Sequence, residues 1–343
     1  MRLRGVCGAA GVGGWFSARG WCAAAVAVAV AGMPLVTPTH SPVTVRYRVT
    51  RTIPVGGLPY AVAVDSAAHT VYVANRADDM VSVIDAATGT VTRTIPVGSG
   101  PSGIAVDSAA RTVYVANAAD DTVSVIDAAT GTVTRTIPVG SGPSVIAVDS
   151  AARTVYVANE FEDTVSVIDA ATGTVTRTIP VGAYPFGVAV DPAAGTVYVA
   201  NADFGSHSTV SVIDAATGNV TRTIPVGYGP GWVAVDPAAR TVYVSNYDGG
   251  TVSVIDAATG SVTGTIPVGS GPFGVAVDPA ARTVYVADFG GSTVSVIDGA
   301  TSTVTATVRV GSDPEGVAVD PGIHTAYVAN DGGNSVSMIS RCM

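Results

Sequence analysis

The feature that most constrains this chain of 343 residues is a unit of about 42 residues that is repeated seven times. The tetrapeptide YVAN that begins at Tyr72 returns, unchanged or with one substitution, at intervals of 42, 42, 42, 45, 42 and 42 residues. The longer interval contains an insertion at residues 205–208. Repeats of this length predict either a ring of β-sheet blades or an open stack of repeats.

Each unit is predicted to form four short β-strands. In the second unit the strands cover residues 103–106, 112–116, 122–126 and 132–139, separated by turn-forming Asp, Asn, Ser, Gly and Pro. The chain has no Lys and three Glu, so strong helix formers are scarce. Because proline cannot donate a ladder hydrogen bond, the fourth strand must lie at the outer edge of its sheet. The prolines concerned are Pro96, Pro138, Pro180, Pro225 and Pro267.

The two ends of the repeated region predict a closed ring. A third strand at residues 335–339 has no fourth strand after it, whereas an additional strand at residues 43–55 precedes the first complete unit. If these two strands pair, seven complete sheets form and no capping repeat is needed. We therefore predict an all-β fold, a seven-bladed β-propeller over residues 43–341. Four antiparallel strands form each blade, and the N-terminal strand completes the last one; a solenoid is the alternative.

Residues 1–40 differ from the repeats and are predicted to be an export signal with a short linker. Three arginines (Arg2, Arg4 and Arg19) accompany an apolar run at residues 21–36, which is typical of a signal cleaved between residues 31 and 40. An uncleaved anchor is the alternative, but a run of about 16 apolar residues is short for a membrane span. We expect a secreted or cell-surface protein with no membrane span after cleavage.

Charge and cysteine content exclude several classes of partner and site. The formal net charge is −9, and loss of the three signal arginines would make it −12. Such a chain is not expected to bind nucleic acid or an anionic membrane. After cleavage Cys342 would be the one remaining cysteine, which excludes an internal disulfide or a cysteine-rich metal cluster. We expect a monomer without a cofactor.

The repeated motifs resemble those of a known family. Tyr-Val-Ala-Asn, then Thr-Val-Ser-Val-Ile-Asp, then Gly-Pro-x-Gly-Val-Ala-Val-Asp are similar to the YVTN β-propeller repeat family of exported bacterial and archaeal proteins. The similarity covers residues 43–341, with Ala or Ser where the family motif has Thr. It implies the propeller fold and an exported or surface-layer location. Lactonase-like and streptogramin-lyase-like propellers are similar in architecture, so the resemblance implies location more than chemistry.

Differences between the repeats concentrate on one face. The loops before the first strand of each unit and between its second and third strands share one side of a propeller, which we call the top face. The bottom turns, AVDSAAR or AVDPAAR and SVIDAATG, barely vary. The second and third units differ at four of their aligned positions, all predicted on the top face or at the channel entrance: Gly103/Val145, Ala118/Glu160, Ala119/Phe161 and Asp120/Glu162. Drift after recent duplication is an alternative explanation, but it predicts changes on both faces.

Acidic and aromatic residues also concentrate on the predicted top face. Thirteen acids, Asp288 among them, are placed in its loops against one basic residue, Arg76. Variable, aromatic-rich loops on a rigid scaffold commonly carry recognition. The predicted binding residues are Tyr60, Glu160, Phe161, Tyr184, Phe186, Trp232, Tyr247, Phe273, Phe289 and Glu315.

Two functions follow from this reasoning. The favoured one is a non-catalytic scaffold whose top face binds a cell-surface protein, peptide or glycan. The alternative is a metal-dependent, lactonase- or lyase-like hydrolase in which Asp313 and Glu315 hold a divalent ion such as Ca²⁺, or act as acid and base. The sequence contains no recognisable catalytic triad, so catalytic residues are left unassigned. Repeat aspartates such as Asp107 are interpreted as turn caps, and Asn117 and its counterparts as turn residues at the strand exit.

Overall fold

The computed structural model describes residues 45–203 and 208–342. The predicted export signal and most of the insertion at residues 205–208 lie outside the described residues. Within them no helix is long and apolar enough to cross a membrane, and two short 3₁₀ turns occur at Phe289–Gly291 and Asp331–Gly333. The strands in chain order are β1 (Arg46–Pro54), β2 (Pro59–Asp65), β3 (Thr70–Asn75), β4 (Met80–Asp85), β5 (Thr90–Pro96), β6 (Pro101–Asp107), β7 (Thr112–Asn117), β8 (Thr122–Asp127), β9 (Thr132–Pro138), β10 (Pro143–Asp149), β11 (Thr154–Asn159), β12 (Thr164–Asp169), β13 (Thr174–Pro180), β14 (Pro185–Asp191), β15 (Thr196–Asn201), β16 (Thr209–Asp214), β17 (Val220–Pro225), β18 (Pro230–Asp236), β19 (Thr241–Asn246), β20 (Thr251–Asp256), β21 (Ser261–Pro267), β22 (Pro272–Asp278), β23 (Thr283–Asp288), β24 (Thr293–Asp298), β25 (Thr303–Arg309), β26 (Pro314–Asp320), β27 (Thr325–Asn330) and β28 (Ser335–Cys342).

Seven antiparallel sheets of four strands form a closed ring. Six sheets use consecutive strands, from β2–β3–β4–β5 to β22–β23–β24–β25, and the seventh has the order β26–β27–β28–β1. β1 pairs with β28 from Arg46 opposite Cys342 to Pro54 opposite Ser335. The first strands of successive blades contact one another, and β26 contacts β2. The predicted seven-bladed propeller is confirmed, including its closure by the N-terminal strand.

The hydrophobic core lies between adjacent blades. The seven tyrosines of the YVAN-type motifs are at most 3% exposed, and Ile84 and its six counterparts are fully buried. One core cluster, for example, joins Tyr327 and Val336 of the last blade to Val62, Val71 and Ile84 of the first. Full burial of such a side chain contributes about 1.5–3 kcal/mol. The prediction that the repeat tyrosines pack between blades is confirmed.

The bottom turns are fixed by the repeat aspartates. Asp65 Oδ1 accepts hydrogen bonds from the backbone N–H groups of Ala67 and Ala68, each at 3.1 Å. We call the first strand of each blade its inner strand and the last its outer strand. The corresponding aspartates of the other six inner strands accept a hydrogen bond from a backbone N–H two or three residues later. Asp127 likewise accepts the N–H of Thr130 at 2.7 Å. Their interpretation as turn caps is confirmed, and this explains why the bottom turns repeat so closely.

A buried polar layer lies beneath the top face of each blade. Asn117, the last residue of β7, is fully buried and donates from Nδ2 to Ser124 Oγ at 2.9 Å and Thr122 Oγ1 at 3.0 Å. Gly98 packs on this side chain so closely that a Cβ there would lie 2.5 Å from Nδ2. The carbonyl oxygen of Asn117 accepts the backbone N–H of Asp120 at 3.3 Å, so the interpretation of this asparagine as a turn residue at the strand exit is confirmed, and the preceding loop buries its side chain. Asp288 is the last residue of β23 and has the same buried place in the sixth blade, so its assignment to a top-face loop is wrong.

Arginines on five outer strands reach the bottom turn of the next blade. A Cβ on Gly131 would lie 1.8 Å from Nη1 of Arg93, so the arginine occupies the space that this glycine leaves free. Arg135 and Arg222 also donate from Nη1 to the carbonyl oxygens of Thr172 and Thr259. The same packing joins Arg51 to Gly89, Arg135 to Gly173, Arg177 to Gly218 and Arg222 to Gly260.

The junction between the fifth and sixth blades lacks both members of this pair. Gly264 of β21 stands where the arginine would be, opposite Val254. Ser302 stands where the next turn would have its glycine, and it keeps a φ of +55°, a left-handed conformation that costs a residue with a Cβ. Glycine is therefore found where an arginine covers the turn, and a larger residue where none does.

Introducing the missing pair should stabilise the propeller cooperatively. We expect Gly264→Arg combined with Ser302→Gly to raise the free energy of unfolding by about 0.5–1.5 kcal/mol more than the two single changes added together, because the arginine needs the space that glycine leaves. Urea denaturation of the original protein, both single variants and the double variant measures this coupling. Effects that add to within about 0.3–0.5 kcal/mol would contradict it.

Candidate functional site

The candidate site lies where the seven inner strands begin on the top face. Each inner strand starts with a proline that pairs with the last residue of the second strand, as Pro59 does with Asn75. The residue after this proline varies although the rest of the strand is repeated: it is Tyr60, Ser102, Ser144, Phe186, Gly231, Phe273 and Glu315 in successive blades. In the fifth blade Trp232 follows the glycine. We call these eight residues, with Arg76 and Glu160 of the adjoining loops, the mouth.

Aromatic rings from four blades converge at the mouth. The ring centroid of Phe273 lies 5.3 Å from Phe186, 5.7 Å from Trp232 and 5.9 Å from Tyr60. Phe186 and Trp232 are 6.1 Å apart. Tyr60 is buried, whereas the other three rings are half-buried. These tilted and edge-to-face contacts join four blades at the top face, and the three half-buried rings keep part of their surface exposed.

The first of two cavities beside this cluster lies over the first four blades. It has a volume of about 190 Å³, and its lining includes Tyr60, Arg76, Phe161 and Phe186 together with Glu160. Phe161 is 66% exposed and forms part of the rim. The first cavity thus combines aromatic walls with one cation and one carboxylate.

The second cavity, of about 270 Å³, lies over the third to sixth blades. Glu160 and Phe186 line it as well, so the two cavities are neighbours. Its other walls include Tyr247, Asp248 and Phe273. The ring of Tyr247 lies 6.0 Å from that of Phe273 and is the more exposed of the two.

The backbone around Glu315 is held by close approaches of three inner strands. A Cβ on Gly274 of β22 would lie 2.2 Å from the carbonyl oxygen of Glu315, and one on Gly316 would lie 2.6 Å from the carbonyl oxygen of Tyr60. Glycine at these two positions therefore permits the neighbouring strands to approach. Packing against the first and sixth blades therefore fixes the backbone position of Glu315.

Glu315 carries the strongest electrostatic perturbation among the carboxyl groups of the mouth. Its Oε2 is buried and has no hydrogen-bond partner among the described residues. Burial raises the pKa of Glu315 to about 8, and the negative charges of Asp331 and Asp313 add to the rise while Arg76 opposes it. Two physical causes therefore favour the protonated carboxyl: loss of solvent and like charge nearby.

Arg76 is the cation around which the carboxyl groups of the mouth are arranged. Its guanidinium carbon lies 5.0 Å from the ring centre of Tyr60, in cation–π contact. It lowers the pKa of Glu160, Glu315 and Asp331, although burial raises all three. Sequence reasoning did not include Arg76 in the site. The available signal was that it is the one basic residue predicted in the top-face loops.

Several predicted acids instead hold the top-face loops together. Asp79 Oδ1 accepts the backbone N–H of Gly100 in the next blade at 2.8 Å, and Asp121 Oδ1 accepts that of Gly142 at 2.8 Å. Carboxylates used in this way cap backbone groups, as the bottom aspartates do. The negative charge available to a ligand therefore comes from fewer residues than the composition of the loops indicates.

The remaining predicted residues lie farther from the centre of the mouth. Tyr184 is 41% exposed on the loop before β14 and lines neither cavity. Phe289 reaches the aromatic cluster through Tyr247, with ring centroids 6.2 Å apart. In the described part of the chain, no group of three His, Cys, Asp or Glu residues is arranged to hold a metal ion. Metal binding by Asp313 and Glu315 stays a prediction.

Comparison with known proteins relates the chain to two propeller families. Residues 24–143 and 140–237 match the family model described as YNCE-like beta-propeller, and residues 213–339 match the model described as Lactonase, 7-bladed beta-propeller. No curated protein matches the chain. Among solved structures, Kuenenia stuttgartiensis Hydrazine Synthase is similar with a TM-score of 0.75 and 23% identity, over 82% of this chain and 95% of that chain. At this identity the likeness shows the fold alone.

Replacing Glu315 should stabilise the protein in a pH-dependent way. The pKa of Glu315 is about 8 in the folded protein and near 4.5 in the unfolded chain. The free energy of unfolding therefore falls as pH rises from 4.5 toward 8. We therefore expect Glu315→Gln to raise the free energy of unfolding by about 1–3 kcal/mol at neutral pH and by little in acid. Urea denaturation across this pH range measures the difference. Glu162→Gln, an exposed carboxylate in the third blade, is the control; equal pH profiles for both variants would contradict the expectation.

Proposed function

We propose, from the premise that the chain belongs to the YNCE-like beta-propeller family, that it is an exported scaffold binding a peptide, protein or glycan at the mouth. The proposal includes a secreted or cell-surface location, a monomer, and the finer relation to the YVTN repeat proteins that the repeated motifs indicate. The strong net negative charge argues against nucleic acid as a partner.

The observation that carries this proposal is the contrast between the mouth and the rest of the repeat. Bottom turns, buried tyrosines and the polar layer recur in every blade, because each does the same structural work seven times. At the position after the inner-strand proline, three blades supply Tyr60, Phe186 and Phe273, and another supplies Glu315. Aromatic surface with a few convergent polar groups, beside two cavities, is typical of a binding site.

The electrostatics of the mouth support the same conclusion. Glu315 keeps a buried oxygen without a hydrogen bond, next to Asp313 and Asp331, at a cost to folding. Locally unfavourable arrangements of this kind concentrate where function requires them, since purely structural selection would remove them. Ser102 and Ser144 at the same position show the alternative, because their hydroxyls donate to backbone carbonyls of the next blade.

Two exposed aromatic residues allow a test that spares the core. We expect ligands selected by the unmodified protein from a random peptide library and a glycan array to bind Phe161→Ala and Tyr247→Ala about 10-fold more weakly or worse, because each side chain is partly exposed and lines one cavity. Affinity is measured by titration calorimetry. Ile323→Ala is the matched control, since Ile323 is 48% exposed in a bottom turn. Unchanged affinity in both top-face variants would overturn the mouth as the binding surface.

A hydrolase of the lactonase type is the second candidate. The lactonase-propeller match at residues 213–339 includes Asp313, Glu315 and Asp331. A carboxyl with a pKa of about 8 is protonated near neutral pH, as a general acid must be.

Lactone hydrolysis, assayed with and without added Ca²⁺, separates the two candidates. For an enzyme we expect turnover by the unmodified protein and a loss of about 100-fold or more in Glu315→Gln, because the glutamine cannot donate an acidic proton. The thermal unfolding midpoint of the variant checks that it folds. No turnover by the unmodified protein in either condition would reject the hydrolase.

A further inference from the structure

We propose that the second cavity of the mouth binds a basic side chain of a peptide, arginine or lysine, between its aromatic walls and the carboxylates of Glu160 and Asp248. This inference rests on the proposed binding function and specifies its ligand. A glycan and a neutral peptide then become outcomes that the experiment must separate from a basic peptide.

The lining of the second cavity is complementary to a cation. Glu160 from the third blade and Asp248 from the fifth supply negative charge, and Phe186, Tyr247 and Phe273 supply aromatic surface. None of the described residues that line it is basic. Ring faces are electronegative and attract ammonium and guanidinium groups, most strongly where water is partly excluded. With two carboxylates in its wall, the cavity repels an anionic ligand.

The first cavity shows the same arrangement with its cation already in place. There Arg76 lies over the ring of Tyr60, with a guanidinium-to-centroid distance of 5.0 Å, and Glu160 lines the same cavity. Glu160 thus lies between a cavity that holds an intramolecular guanidinium and a second cavity of about 270 Å³ that has none among the described lining residues. A ligand side chain in the second cavity would repeat the pairing of ring, cation and carboxylate found in the first.

The state of Glu160 gives a reason why a cation is favoured over a neutral group. Its side chain is half-buried, and within the described residues its carboxylate accepts no hydrogen bond. Burial raises the pKa of Glu160, and Arg76 compensates in part. A second cation would relieve the remaining loss of solvation, whereas a sugar hydroxyl would supply one neutral hydrogen bond. Binding of the cation should therefore favour the ionised carboxylate.

Four blocked pentapeptides that differ at their central residue test the proposal against the full chain by titration calorimetry. The sequence Gly-Gly-X-Gly-Gly carries arginine, lysine, citrulline or glutamate at X; citrulline keeps the shape of arginine and removes its charge. We expect the arginine and lysine peptides to bind, the citrulline peptide to bind about 10-fold more weakly, and the glutamate peptide not to bind. Added salt should weaken the first two.

Charge-removing variants locate the bound cation. Glu160→Gln and Asp248→Asn should each lower the affinity for the arginine peptide by about 3- to 10-fold, because each removes one carboxylate that faces the bound cation. Each should also reduce the salt dependence of this affinity. Glu162→Gln is the control, since Glu162 is exposed and lines neither cavity. Unfolding midpoints establish that all three variants fold.

The outcomes separate this inference from the function on which it rests. Equal affinity for the arginine and citrulline peptides, with weaker binding by Tyr247→Ala, would contradict the preference for a cation while supporting the mouth as a binding site. Arginine-peptide binding that neither Glu160→Gln, Asp248→Asn nor Tyr247→Ala weakens would overturn both. If no peptide binds, binding of a basic side chain in the second cavity is rejected. The peptide-library and glycan-array measurements then test whether the mouth binds any ligand.

Discussion

A blade of this repeat can bury its apolar faces only against other blades, and the rest of the structure depends on that requirement. Tyr72, Ile84 and their counterparts lie between sheets, so an isolated blade would expose them. An open row of blades would still leave two faces uncovered. Pairing of β1 with β28 removes both ends at once, because it completes the seventh blade and brings it against the first. Closure thus turns seven weak units into one cooperative core.

Ring closure also separates the positions that must repeat from those that are free to differ. Each bottom aspartate, buried tyrosine and buried asparagine contacts its own blade or the next one, so the same residue recurs from blade to blade; the one departure among the asparagines is Asp288 in the sixth blade. The residues after the inner-strand prolines instead contact counterparts from several other blades, as Phe273 contacts Tyr60 and Phe186. Phe273 contacts Phe186 and Trp232 there because other blades contribute Ser102 and Ser144, whose small side chains leave room. The asymmetry of the mouth is therefore a packing consequence as well as an opportunity for recognition.

The sequence predicted the architecture well because the fold is encoded locally and seven times over. Strand positions, the outer-edge proline strand and the closing strand all follow from period, turn residues and chain ends. It predicted less about polar side chains, whose roles depend on what covers them. Asn117 and Asp288 each end a strand, where a turn begins, and a neighbouring loop buries their side chains. Asp79 and Glu160 are both top-face acids, but one caps a backbone N–H and the other lines two cavities.

The mouth illustrates how a repeat protein can contain one buried carboxyl group in an unfavourable place. Glu315 is buried beside like charges, and the absence of a Cβ at Gly274 and Gly316 lets the neighbouring inner strands pack closely at this point. In a small domain such a cost would threaten folding, since net stability is about 5–15 kcal/mol. Here apolar burial at seven interfaces between blades contributes to the stability of one fold, and the positive charge of Arg76 lowers the pKa of Glu315 in part. Glu160 depends on Arg76 in the same way, and it lines the second cavity, so a ligand cation bound there would offset part of the loss of solvation that raises the pKa of Glu160.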